Sequence, residues 1–248
     1  MKIIPLSEGS FTIDGSRAFV PFDEEEDRLE DRPHGSLLVE IQPFLVITGK
    51  DHLLFDTGLG FKTPEGILQI HQNLIHNGIN PLEITKVLMS HLHKDHAGGI
   101  SIADEFGGPR SLSFPQAAYY INKQEMEYAL SMDGKSYHAA DFSLLRQKDN
   151  VVFLEGDGII DGYIHYRLTG GHCPYHQVFL VDDGEDKIFF GGDVAPQLSQ
   201  MKRRFIAKYD YDGKRSMELR QEFAVKGRQE GWTFLYYHDT KLPFAKWE

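Results

Sequence analysis

The sequence predicts a mixed α/β fold in one domain, and three observations carry that prediction. Short runs rich in Leu, Val, Ile and Phe alternate along the chain with segments whose apolar residues recur at helical spacing. Two of the strand-like runs end in paired glycines followed by His or Asp. No Pro/Gly/Ser-rich linker, internal repeat or low-complexity segment divides the 248 residues, and that length is enough for one large core. A single domain over 1–248 is expected.

In chain order, Leu37–Ile47 reads as a strand, Gly49-Lys50-Asp51 as a turn and His52–Phe55 as the returning strand of a hairpin. Asp56-Thr57-Gly58 closes it as a polar turn. Thr63-Pro64-Glu65 predicts a helix start, followed by Ile67, Ile70, Leu74 and Ile75 on one face, with Gly78 and Pro81 marking its end. A short helix at Pro81–Ile84 precedes a buried strand, Val87–Met89, that runs into Ser90-His91. Ala117–Ile121 is a strand, and Asn122 caps a helix through Met126 and Leu130. Val151–Leu154 and Tyr163–Leu168 are strands, and Gln177–Val181 with Lys187–Phe190 forms a hairpin around Asp182-Asp183-Gly184. Asp212 caps a helix from about Lys214 to Val225, and Trp232–Tyr237 is a last strand ending at His238. The charge run Asp23–Asp31 reads as a solvated loop.

Composition narrows the partners. A net charge of −11 leaves no overall basic footprint for a nucleic acid, so a small molecule is the expected partner. Cys173 is the only cysteine, so no intrachain disulfide can form, which suits a reducing compartment. The N-terminal MKIIPLSEGSF has no apolar stretch of signal-peptide length, and no run is long enough to span a bilayer. A cytoplasmic protein without membrane attachment is expected, and its oligomeric state is left open.

The densest chemical signal is Ser90-His91-Leu92-His93-Lys94-Asp95-His96-Ala97-Gly98-Gly99. In extended chain, residues two apart point the same way, so His91 and His93 can converge on one ion. A turn then swings Asp95 and His96 to a neighbouring point, and Gly98-Gly99 lets the backbone turn tightly beside them. Imidazole with carboxylate suits zinc, and also iron or manganese. A catalytic zinc takes about three protein ligands and keeps a position open for water. Four residues cannot complete two such sites, so further His and Asp residues must arrive from other strand ends. His172 after Thr169-Gly170-Gly171, Asp193 after Gly191-Gly192, and His238 after Trp232–Tyr237 are the candidates.

Asp56 in DTG, the HxHxDH run at 91–96, His172, Asp193 in GGD and His238 stand in the order of five motifs, and on them the chain resembles the metallo-β-lactamase superfamily over nearly its whole length. The segments TGGHCPYHQ, FFGGD and YYHDTKLPFAKWE are most similar to its branch of N-acyl-homoserine lactonases and quorum-quenching hydrolases. The resemblance implies an αββα four-layer sandwich, two mixed β-sheets flanked by helices, with two divalent metal ions at one edge. It assigns His91, His93 and His172 to one ion, Asp95, His96 and His238 to the other, Asp193 to both, and Asp56 to orienting a ligand.

Two departures from the family's pattern are visible. Some lactonases carry a catalytic tyrosine three residues after the bridging aspartate, where this chain has Pro196. Tyr175 stands where a glycine often precedes the second histidine of the family's GHxxGH motif, so His176 is expected to be structural. Cys173, next to His172, is expected to be a small buried residue, because adjacent positions at a strand end diverge.

The expected chemistry is hydrolysis, with a hydroxide shared by the two ions attacking a lactone or ester carbonyl and Asp95 passing a proton to the leaving oxygen. Two divalent ions set against Asp95, Asp193 and that hydroxide keep a net positive charge for the tetrahedral intermediate. Phosphodiester or phosphotriester hydrolysis is an alternative, with Lys202-Arg203-Arg204 as an anion holder. Iron-dependent oxidoreduction is another, although His93 stands where flavodiiron relatives carry Glu. The loops Gly15–Pro33 and Gly107–Pro115 are expected to shape the pocket.

Overall fold

A computed structural model of the chain describes residues 1–104, 108–134 and 136–246. Gly107, the first residue of the second pocket loop, and Trp247 and Glu248, at the end of the expected domain, lie outside the described residues.

Two six-stranded mixed sheets carry the fold. In spatial order the first holds Lys2–Pro5, Phe44–Ile47, His52–Phe55, Lys86–Leu88, Ala118–Asn122 and Val151–Leu154. The second holds Gly158–Ile160, Ile164–Leu168, Gln177–Asp182, Lys187–Phe190, Thr233–Leu235 and Phe244–Lys246. Side chains alternate along each strand, and the alternation builds the layers. Phe44, Val46, Leu53, Phe55 and Leu88 face the second sheet and meet Ile164, Phe179, Val181, Ile188 and Phe190. Leu45, Leu54, Val87 and Tyr119 point the other way, onto Ile70 and Leu74 of the helix Gln69–His76 and Met126 of the helix Lys123–Ser131. On the far face of the second sheet, Val178, Phe189 and Phe234 pack against Leu219 and Phe223 of the helix Gly213–Glu230. Between the sheets, the rings of Phe55 and Phe190 lie 5.1 Å apart and are fully buried. Burying each contributes about 2–3 kcal/mol. The result is the αββα sandwich the resemblance implied.

Several elements depart from the sequence reading, each for a physical reason. Leu37–Ile47 is two strands, not one, because Gln42-Pro43 interrupts it and proline has no N–H for a ladder. Leu37–Ile41 leaves the sandwich and pairs antiparallel with Gly9–Ile13, which also pairs with Phe19–Phe22, in a small third sheet. Thr63-Pro64-Glu65 does not start the helix. Gly66 at φ +82° makes a turn there, with Thr63 N–H donating to the Ile67 carbonyl at 2.8 Å, and the helix begins at Gln69. The Asp212-capped helix runs on to Glu230 and ends at Gly231 in the left-handed region. The strands before residue 23, Gly158–Ile160 and Phe244–Lys246 were not anticipated. Asp23–Asp31 is exposed throughout. Among the described residues, no helix is long and apolar enough to cross a membrane.

Strand direction positions the site. Lys86–Leu88 lies parallel to His52–Phe55, and Lys187–Phe190 lies parallel to Thr233–Leu235. Asp56, His91, Asp193 and His238 all follow the C-terminal ends of these strands. The loop after His96 packs backbone to backbone on the segment after Asp56. A Cβ on Gly99 would stand 2.1 Å from the Thr57 carbonyl oxygen, and one on Gly98 would stand 2.2 Å from that of Leu59. Neither glycine has a positive φ, so close approach, rather than a tight turn, requires them. Gly99→Ala is expected to cost about 1–3 kcal/mol of unfolding free energy through overpacking. Gly15→Ala, where nothing lies within 4 Å of the added carbon, should be near neutral in the same denaturant titration.

Candidate metal centre

Beyond the strand Lys86–Leu88, Met89 N–H donates to the Tyr120 carbonyl at 3.0 Å and the Ser90 carbonyl accepts the Gln177 N–H at 2.9 Å, which fixes the chain up to His91. Leu92 is fully buried in the helix-facing core, so His91 and His93 share the opposite side. Their Nε2 and Nδ1 atoms lie 3.0 Å apart. The short helix Lys94–Ala97 then turns Asp95 and His96 into a second position.

The distant residues arrive at these two points. His172 Nε2 lies 3.0 Å from His93 Nδ1 and 3.2 Å from Asp193 Oδ2. Asp193 Oδ1 lies 3.2 Å from His96 Nε2 and 3.0 Å from His238 Nε2. Asp95 Oδ2 is 3.6 Å from both of those imidazole nitrogens. Two groups result, His91/His93/His172/Asp193 and Asp95/His96/His238, each with its ligand-type atoms within 4.8 Å of one another. Asp193 presents one oxygen to each. All seven sequence candidates therefore come together.

Each imidazole is held from behind. The outer nitrogen of His172 donates to Asp210 at 2.8 Å, that of His96 to Asp56 at 2.7 Å, and that of His238 to the Glu40 carbonyl at 2.7 Å. His91 Nδ1 lies 3.0 Å from Ser90 Oγ, whose hydroxyl donates to Asp56 at 2.6 Å. With the outer nitrogens bonded in this way, the Nε2 lone pairs of these four rings point inward. A third proximity, Asp56/His91/His96, lies on this outer side and is the orienting network itself. Asp56 also accepts the Ser90 N–H at 2.7 Å and is fully buried. Tyr237 stacks on His96 at 4.1 Å and donates its hydroxyl to the Asp95 carbonyl at 2.7 Å.

Burial, reinforced by the neighbouring rings, pushes His91 and His93 well below the ordinary histidine range. Burial opposes charge on His96 too, but the Asp193, Asp95 and Asp56 carboxylates outweigh it and hold that ring well above the range. Burial likewise opposes the Asp193 carboxylate, yet His238, His96 and His172 keep it well below the usual value. His96 Nε2 and Asp193 Oδ1 are buried atoms with no hydrogen-bond partner. Converging imidazole lone pairs around a shared carboxylate oxygen are the donor set a divalent cation takes: ligands at about 2.0–2.1 Å on a tetrahedron sit about 3.3 Å apart.

Other residues stand back from the two groups. His176 takes the Asp193 N–H on Nε2 at 3.2 Å and bonds Thr169 Oγ1 through Nδ1 at 3.0 Å. The Cys173 thiol turns to Glu125 Oε2 at 3.4 Å, and Glu125 Oε1 accepts the Leu92 N–H at 3.1 Å. Pro196 carries no hydroxyl, but its carbonyl accepts the His238 N–H at 3.0 Å. Lys202 and Arg203 line a cleft of about 470 Å³ with Gln197, Asp239 and Lys241, beside His238. Asp210, Ser90, Glu40 and Glu125 were missed by sequence reasoning. Asp210 sat in YDYDGK, where only the helix cap Asp212 carried a signal, and a backbone carbonyl such as that of Glu40 leaves no trace in residue type.

Comparison with known proteins agrees with this geometry. The metallo-beta-lactamase superfamily model matches residues 39–238. N-acyl homoserine lactonase AttM of Agrobacterium fabrum is 34% identical over 113 residues, which is 42% of this chain and 38% of that protein. The chain thus matches well under half the length of this relative. A solved structure of a probable metal-dependent hydrolase from Staphylococcus aureus superposes with a TM-score of 0.80 at 20% identity, covering 100% of this chain and 92% of that one. AidC, a dizinc quorum-quenching lactonase in complex with its product N-hexanoyl-L-homoserine, superposes at 0.72 with 20% identity, covering 98% and 89%. With the family model spanning most of the chain and seven His and Asp residues drawn to one sheet edge, this protein belongs to the metallo-beta-lactamase superfamily.

Proposed function

We propose that the chain is a dinuclear-metal-dependent hydrolase acting on a lactone or ester carbonyl, with N-acyl-homoserine lactones the first substrates to try. The single observation behind this reading is the Asp193 carboxylate, whose two oxygens face two separate histidine groups. His91, His93 and His172 hold one ion, Asp95, His96 and His238 the other, and Asp193 both. Zinc suits these nitrogen and oxygen donors, as do iron and manganese. When bound, such a pair supplies an acidified water and polarises the carbonyl oxygen. Asp95 Oδ1 accepts no hydrogen bond among the described residues, so it can take the proton of the attacking water and deliver it to the leaving oxygen. Asp56 and Asp210 keep the imidazole rings from rotating. The lactone assignment draws on the AttM and AidC likenesses. A reducing, cytoplasmic setting suits the one buried cysteine.

Phosphodiester or phosphotriester hydrolysis on the same residues is the second reading. One feature favours it: Lys202, Arg203 and Lys241 share the cleft beside His238, and among the described residues none of the three has an ion pair. Asp239 in that cleft already accepts three backbone N–H groups, from Leu198, Lys241 and Leu242.

Three outcomes are expected. Asp193→Ala should lower bound metal from about two equivalents per chain to near none by elemental analysis; unchanged content contradicts the shared carboxylate. Asp210→Ala should weaken metal affinity about 10- to 100-fold in a chelator competition, through loss of the acceptor that orients His172. Metal-quantified protein should hydrolyse acyl-homoserine lactones, simple lactones or aryl esters and lose that activity on chelation. Activity confined to phosphodiesters would replace the leading substrate class with the second.

A further inference from the structure

Two asparagine-capped helix starts in this chain share the spacing Asn-x-x-Glu, and they use the glutamate differently. At Asn80-Pro81-Leu82-Glu83 the carboxylate returns to the cap, where the Asn80 N–H donates to Glu83 Oε1 at 2.6 Å. That reciprocal bond is the one the spacing favours. At Asn122-Lys123-Gln124-Glu125 only half of it forms. Asn122 Oδ1 accepts the Glu125 N–H at 3.0 Å, and the Glu125 side chain turns into the protein instead. Glu125 is 1% exposed, and burial pushes its carboxyl above the ordinary range. A carboxyl group buried so fully is costly and requires an explanation.

Its two contacts supply one. Oε1 accepts the N–H of Leu92, between His91 and His93, at 3.1 Å, and Oε2 accepts the thiol of Cys173, next to His172, at 3.4 Å. These partners lie 33 and 48 residues away in sequence. Main-chain bonds pin the ligand run at Ser90, to the Gln177 N–H, and at Lys94, to the Ser136 carbonyl, both at 2.9 Å. Between those two points the Leu92 N–H is held by a side chain, that of Glu125. The three imidazoles beside these contacts all belong to the group His91/His93/His172/Asp193. Among the described residues, Glu125 makes no hydrogen bond to Asp95, His96 or His238.

We infer that Glu125 is a positioning residue: it ties the His91–His93 turn to the segment of His172, and so sets the affinity of that one group for its ion while leaving the Asp95/His96/His238 group alone. The inference rests on the two-metal reading above. Glu125 reaches the imidazoles only through Leu92 and Cys173, so it acts on their placement and takes no part in the chemistry. The backbone N–H is the stronger of its two donors, and the thiol the weaker.

Glu125→Leu removes both acceptors and keeps most of the volume, whereas Glu125→Gln keeps an acceptor oxygen. Stepwise zinc titration against a chelator reads the two affinities. Cobalt(II) absorption shows which group has changed, by reference to the bands missing in His172→Ala and in His238→Ala. Glu125→Leu should weaken one equivalent about 10-fold and leave the other within about twofold, in the range for loss of a partner behind the ligands. The altered cobalt bands should be those missing in His172→Ala, and Glu125→Gln should recover most of the affinity. Cys173→Ala cuts only the thiol end and should weaken the same equivalent by a smaller factor, about 3-fold. Two unchanged affinities, equal weakening of both, or a Gln variant as weak as the Leu variant overturns the assignment. If Glu125→Leu does not fold, Cys173→Ala decides, and unchanged affinity with unchanged bands there removes the tie. None of these readouts needs turnover. A chain that binds two equivalents and hydrolyses nothing in the panel loses the hydrolase reading, while the affinities still decide Glu125. An unsubstituted chain that takes fewer than two equivalents overturns the two-metal reading, and this role with it.

Discussion

One carboxylate shared between two histidine groups constrains everything around it. Asp193 can face both only if the strand it follows ends level with the strand that leads to His91, although the two belong to different sheets. The Phe55–Phe190 contact holds those sheets in register within the core, one residue before Asp56 and three before Asp193. Packing in the apolar interior therefore sets the spacing of the polar edge. Gly192, at φ +46°, gives the last turn, and a side chain there would collide with Ser90 and His176. The backbone of Asp193 is fixed by His176, and its carboxylate is free for the centre.

The second constraint is desolvation. Five imidazoles and two carboxylates lie at a sheet edge that is almost wholly buried, where an uncompensated charge is costly. The chain meets this by giving four of the rings an acceptor behind them: a carboxylate for His96 and for His172, a serine hydroxyl for His91 and a main-chain carbonyl for His238. Asp56 serves two rings, one directly and one through Ser90, which explains why a residue at positive φ is kept at that strand end. A strained backbone is held where the surroundings over-determine it, and here three hydrogen bonds to one side chain do so.

How much of this was legible follows from the range of each interaction. The HxHxDH run could be read because its geometry is local: alternation pairs His91 with His93, and a turn carries Asp95 and His96. Strand ends at His172 and Asp193 could be read because paired glycines mark them, and the one at His238 because it follows the apolar run Trp232–Tyr237. The four layers came from the motif resemblance and not from the strands, which alone gave a mixed α/β class; Phe44-Leu45-Val46, apolar at every position, is covered on both faces in that sandwich. The break at Pro43 was overlooked because apolar residues continue on both sides of it. The edge strands Gly158–Ile160 and Phe244–Lys246 hold three residues each, too few for a period to emerge. Asp210 and Glu40 act across 38 and 198 residues of sequence, and no local pattern encodes such a bond.

The small third sheet shows what that long range does for the site. It is the part least readable from sequence, yet it grips the centre at two places. The Glu40 carbonyl holds His238, and the Glu40 N–H returns a bond to the His238 carbonyl at 3.4 Å. Lys94, between two of the candidate ligands, donates to the carbonyl of Arg17 at the tip of the hairpin and lies over the Phe19 ring at 5.3 Å. Both principal hydrogen bonds use backbone oxygens, so they depend on strand pairing, Ser10 opposite Glu40 and Ile13 opposite Phe19, rather than on which side chains those strands carry. Side chains on this sheet can therefore differ in size and polarity while the imidazole of His238 keeps its acceptor. Within this one element the ladder, and not the side chains, holds the acceptor of His238.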